Sequence, residues 1–265
     1  MTAWTAFTVV TGIVLALVLV LSRVSASAID DLSSRDADGA VDRDASVRTD
    51  DRVPPDGDRP EPDTTDVPEL TTTALLANVA FSQGLFGVLL VVAIWLASVP
   101  PDAIGLSDGA FDVAALALAV VAGVVLYVLN EFGSAHARRW GVTDVDRLRR
   151  LLAPDSLGGW ILLFVVVLPV IAGFEELLFR GILIGAFSVG FDLSPWVLAI
   201  GSSIAFGLGH GAQGRVGVAV TGGLGLALAW LFIVTESLIA VIVAHYIVNA
   251  LEFLLHEGFD VGWGS

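Results

Sequence analysis

The 265-residue chain has no cysteine, no lysine and few charges for its length. Without cysteine there is no disulfide, no thiolate nucleophile and no Cys-ligated zinc or iron–sulfur site. Without lysine the cationic side rests on arginine alone: all 13 basic residues are Arg, against 28 acidic ones, for a formal net charge of −15. Charged residues make up 15% of the chain and hydrophobic ones 55%, a proportion that cannot clothe a water-facing surface. The mean hydropathy of +0.83 says the same. A membrane lipid bilayer is therefore the expected partner, and a nucleic-acid or purely soluble role is not. An acidic, lysine-free surface stays hydrated where salt screens its self-repulsion, so the composition points to a halophilic source; recruitment of a basic partner is the alternative.

What the chain does have is a series of uncharged runs long enough to cross a bilayer. Residues 1–22 form an N-terminal membrane helix, centred on Trp4 to Leu21, which we expect to be retained, although Ser25-Ala26-Ser27-Ala28 would suit a signal peptidase. Residues 23–70 are an acidic, Pro- and Ser-containing linker, with Pro54-Pro55 and Glu61-Pro62, whose composition predicts disorder. Residues 71–157 carry two helices, over Thr71 to Pro101 and Val113 to Leu129, followed by a loop with Arg138, Arg139, Arg147, Arg149 and Arg150. Short basic loops stay cytoplasmic, and there Thr143-Asp144 can cap a short helix whose arginines face lipid headgroups. Residues 158–257 hold four more apolar segments, from Trp160, Leu193, Val216 and Ser237 onward. Pro169 and Gly173 predict that the first of these is kinked or split. The fold class is thus all-α: a polytopic transmembrane helix bundle of about seven to eight membrane helices in the plasma membrane.

Charges inside these apolar runs carry the functional signal. Glu175, Glu176 and Arg180 fall within six residues, and each charge at mid-bilayer costs about 2.5–3.5 kcal/mol on the insertion scale, so they must be paired or wet. Glu176 and Arg180 stand at i, i+4 and can neutralise each other, which leaves Glu175 over. His210 follows Phe206 by four residues, and His245 shares a helical face with Asn249. Glu252 and His256 extend that stripe toward the helix end, where polar tips reach water. A carboxylate and an imidazole can hold and deprotonate water, while an imidazolium and an amide can stabilise an oxyanion, so Glu175, His210, His245 and Asn249 together make a hydrolase's inventory.

Glu175-Glu176-x-x-x-Arg180, Phe206-x-x-x-His210 and His245-x-x-x-Asn249, in that order on successive membrane helices, resemble the three motifs of the CPBP family of intramembrane proteases. That family includes type II CAAX prenyl endopeptidases and bacteriocin-processing and immunity-related proteins. The resemblance covers roughly Trp160 to Leu251. It implies that Glu175 and His210 activate water, that His245 and Asn249 form the oxyanion site, and that Glu176, Arg180 and Phe206 support the cavity. The implied activity is a metallo- or glutamate-type endopeptidase acting on a membrane-anchored peptide or protein, with CAAX processing as the family's best-known task.

A zinc held by Glu175, His210 and His245 is one way to activate the water. A metal-free glutamate base is preferred, because pairing with Asn249 assigns His245 to the oxyanion and leaves two ligands where catalytic zinc usually has three. A proton- or ion-coupled transporter could use the same buried Glu and His as a relay, and a non-catalytic scaffold or immunity protein could keep them for packing. Asn249 discriminates, since an oxyanion site needs it and a proton relay does not.

Overall fold

The computed structural model describes residues 3–47, 71–139 and 147–259, with backbone alone at 28–47, 134, 136–139 and 147–148. Every regular element among these residues is helical. Helix α1 spans Ala3–Val47, α2 Thr72–Leu96, α3 Val113–Arg139 and α4 Arg147–Leu152. Four more follow among the described residues: α5 over Leu157–Phe191, α6 over Pro195–Gly209, α7 over Gly214–Thr235 and α8 over Leu238–Gly258. Among the described residues, six helices are long and apolar enough to cross a membrane, and α6 is a shorter apolar one. Large apolar side chains such as Phe81, Trp95 and Val165 stand exposed on the outside of the bundle, where lipid rather than water would meet them. The molecule is a multi-pass membrane protein.

Local chemistry sets the helix ends. The Thr71 hydroxyl accepts from the Ala74 N–H at 3.3 Å, and Ser156 and Ser237 cap α5 and α8 the same way at 3.1 Å, each satisfying an N–H the helix cannot. Pro195 opens α6 at a position that needs no N–H donor. Pro100 and Pro101 separate α2 from a short 3-10 turn, Pro101–Ile104. That turn ends at Gly105 with φ 75°, where a Cβ would stand 2.7 Å from the Phe232 ring and 2.8 Å from the Leu238 nitrogen.

Three expectations need correction. The stretch from Arg23 is not linker at its start, since the backbone of α1 stays helical to Val47. Nothing in residues 23–47 blocks propagation from the apolar helix before it: there is one glycine, Gly39, and no proline before Pro54. Residues 48–70 lie outside the described residues, as does the Thr143-Asp144 cap. Second, of the two outcomes expected for α5, a kink or a split, the split does not occur. The helix runs unbroken through two π-helical stretches, Leu163–Val167 and Leu177–Ala186, and the first of these widens the turn ahead of Pro169, where a regular helix would meet the proline ring and miss its N–H. Third, Arg149 of α4 does not face headgroups; it turns inward, with its side chain 11% exposed, onto Glu252 and Glu257 of α8.

Close approach of backbones holds the site helices together. A Cβ on Gly123 of α3 would lie 2.9 Å from the Ala244 carbonyl and 2.8 Å from Ile247 of α8. One on Gly207 of α6 would lie 2.7 Å from the Val218 carbonyl of α7. Small residues thus bring α3 against the turn of α8 that carries His245, and α7 against the turn of α6 that carries Phe206.

Candidate active site

The site lies where α5, α6 and α8 meet. Glu175 and Glu176 sit at the junction between regular helix and the second π stretch of α5, a local widening that recurs at functional sites. His210 is the residue at which α6 ends, after Gly209, and it leads into the turn Gly211–Gln213. His245 lies mid-way along α8, with Asn249 half-buried one turn further on.

Glu175 Oε2 stands 3.8 Å from His245 Nε2 and 4.0 Å from His210 Nε2. Three side chains far apart in sequence therefore converge on one point. Exposure falls across the group: the His210 side chain is 25% exposed, Glu175 12% and His245 4%. His210 is thus the most exposed of the three. Helix parity puts the His210 turn on the same face of the bundle as α4, to which Arg149 ties the end of α8.

Both imidazoles are held by their other nitrogen. His210 Nδ1 is 2.9 Å from the Phe206 carbonyl, and His245 Nδ1 is 2.6 Å from Glu176 Oε1. Those partners are acceptors, so each Nδ1 carries a proton, and each ring turns its Nε2 toward Glu175. Glu176 Oε1 also accepts from Arg180 Nη1 at 2.8 Å, while Arg180 Nη2 donates to the Gly225 carbonyl of α7 at 2.9 Å. Glu176 and Arg180 are 0% and 1% exposed in their side chains, so this pair is dry as well as bidirectional in its ties.

Phe206 is the packing centre of the group. Its ring is 4.5 Å from the Arg180 guanidinium carbon, 4.7 Å from the His210 ring and 5.9 Å from the His245 ring. It gives Arg180 an aromatic face and blocks sideways rotation of both imidazoles. Sequence reasoning placed Phe206 here only through its motif, and it missed two other contributors. Gly225 acts through its carbonyl, which leaves no side-chain signal. Ser22 of α1 accepts from the Gly211 N–H at 2.9 Å and donates to the Leu208 carbonyl at 3.4 Å, pinning both sides of His210 from a helix 188 positions away in sequence, as Ser22 and His210 are numbered.

Glu175, His210 and His245 are of metal-ligand type, but their donor atoms do not all lie within 4.8 Å of one another. Glu175 Oε2 is buried without a hydrogen-bond partner, and two imidazoles face it with their second nitrogens bonded to a carbonyl and a carboxylate, the outer-shell pattern of metal-ligating histidines.

Residues 157–251 match the family model described as type II CAAX prenyl endopeptidase Rce1-like, a protease family in line with the motifs this stretch carries. Neither the curated proteins nor the solved structures gave a match.

Proposed function

We propose that the chain is an intramembrane endopeptidase that hydrolyses a peptide bond near the end of a membrane-anchored substrate, of the prenylated CAAX type named in the family description. The observation that carries this reading is the convergence of His210 Nε2 and His245 Nε2 on the unpartnered Glu175 Oε2. Water held between Glu175 and His210 gives a proton to the Glu175 carboxylate as its oxygen attacks the scissile carbonyl. The carbonyl oxygen becomes an oxyanion, received by His245 and the Asn249 amide. Glu175 then passes the proton to the leaving amine as the C–N bond breaks, which restores the carboxylate.

This assignment fixes a protonation state. His245 Nδ1 donates to Glu176, whose carboxylate is already paired with Arg180. His245 can therefore donate to an oxyanion from Nε2 only as an imidazolium, with Glu176 as its counter-ion. The orientation of both rings favours a second reading, in which Glu175, His210 and His245 hold a zinc ion. The ion would acidify the water and polarise the carbonyl; Glu176 would then fix His245 as the neutral Nδ1–H tautomer, and Asn249 would orient the carbonyl.

Cleavage of a prenylated CAAX peptide by the purified protein tests the proposal. Glu175→Gln should lower the rate at least about a hundredfold with an unchanged elution profile; full activity in that variant would overturn it. Bound zinc at one equivalent, lost in His245→Ala, would select the second reading.

A further inference from the structure

A second group of ligand-type side chains lies where α3 meets the end of α8, on the face of the bundle that carries α4. Glu131 Oε2 is 3.2 Å from His256 Nε2, and both side chains are 8% exposed. Ligand atoms of Glu131, Glu252 and His256 all lie within 4.8 Å of one another, and this is the one such trio of His and acidic side chains among the described residues.

The hydrogen bonds here leave a mismatch. His256 Nδ1 is 3.1 Å from the Glu252 carbonyl, so Nδ1 carries the proton, and when the ring is neutral its Nε2 lone pair faces the Glu131 carboxylate. In that state two acceptors face each other. Neither Glu131 oxygen has a hydrogen-bond partner, and the Tyr127 hydroxyl, one turn back on α3 and 4% exposed, has none either. Glu252 is held on both sides, its Oε1 accepting from Arg149 Nη1 at 2.5 Å and its Oε2 from Asn130 Nδ2 at 3.3 Å. Glu257 Oε1 accepts from Arg149 Nε at 2.7 Å. Among the described side chains, three carboxylates and one guanidinium thus gather here, an excess of two negative charges when His256 is neutral.

We propose that Glu131, Glu252 and His256 bind a divalent cation of the zinc or manganese class. A dication cancels the excess charge, which a proton on His256 would only halve. It also turns the facing lone pairs of Glu131 and His256 into a ligand set. Ligands about 2.1 Å from a tetrahedral ion stand about 3.4 Å apart, close to the separation of that pair, and carboxylate with imidazole is a donor set both ions accept. Each of these oxygens keeps a lone pair after its bond to Arg149 or Asn130, so Glu252 can serve both. The ion would join α3 to α8 two turns beyond His245, whatever chemistry that histidine performs.

The test uses the tag-free full chain carrying Glu175→Gln, which removes one possible ligand at the other centre. After loading with Zn2+ and dialysis, it should retain about one equivalent, and adding Glu131→Gln or His256→Gln should reduce this at least tenfold. Glu131→Gln should not lower the melting temperature of metal-free protein, because it removes an uncompensated charge. Co2+ substituted into the Glu175→Gln protein gives a readout free of folding effects: X-ray absorption should show one imidazole among oxygen ligands. Failure to retain zinc, retention through both added substitutions, or two imidazoles on the cobalt would each overturn the proposal.

Discussion

A single oxygen, Glu176 Oε1, accepts from a guanidinium on its own helix and an imidazole on another. With the pair fully buried, removing either partner strands a charge where water cannot reach it. Arg180→Ala and Glu176→Gln should each destabilise the protein by roughly 3–5 kcal/mol, seen as a large drop in melting temperature in detergent, with activity lost alongside. Arg180→Lys should recover little, since one ammonium cannot reach both Glu176 and the Gly225 carbonyl as the fork does. Glu175→Gln should melt like the parent, because that carboxylate makes no buried pair of comparable closeness. Wild-type melting in Arg180→Ala would show that the pair is not dry. The Glu176–Arg180 tie was readable from spacing. The bond to His245 was not, because it joins residues 69 apart, and sequence says only that a buried charge needs some partner. Glu252 and His256 misled for the opposite reason: nearness to a helix end suggested water, whereas Arg149 of α4 reaches Glu252 and Glu131 of α3 faces His256.

Among the helices, hydropathy located nearly every membrane segment, because lipid demands uncharged length and the charged loops stop it sharply. It could not see that α1 continues past its apolar part, since helix propagation needs no hydrophobicity, nor that Pro169 is absorbed by a π turn. The α6–α7 contact gives a clean test of how tightly the helices must approach. A Cβ on Gly207 would meet the α7 backbone, whereas one on Gly201 of the same helix has nothing within 4 Å. Gly207→Val should therefore push α6 and His210 away from α7, lowering melting temperature and reducing cleavage by about tenfold or more. Gly201→Ala should leave activity intact and add about 0.5–1 kcal/mol of stability. Equal behaviour of the two variants would rule out close packing at this seam.

Across the whole molecule, 28 acidic residues oppose 13 basic ones, and self-repulsion of that size is felt until salt screens it. The Debye length shrinks from about 10 Å at 0.1 M to about 3 Å at 1 M. Melting temperature in uncharged detergent should thus rise steadily over that range, and a flat or falling curve would show that the charge is not a burden to the fold. The tie from α1 has a different reach. Ser22 grips both flanks of His210, yet the family resemblance begins only at residue 157. The smallest portable hydrolytic cassette is therefore larger than the recognisable one: a transplant of 157–251 would carry the glutamates and both histidines but leave behind the clamp that aims one of them.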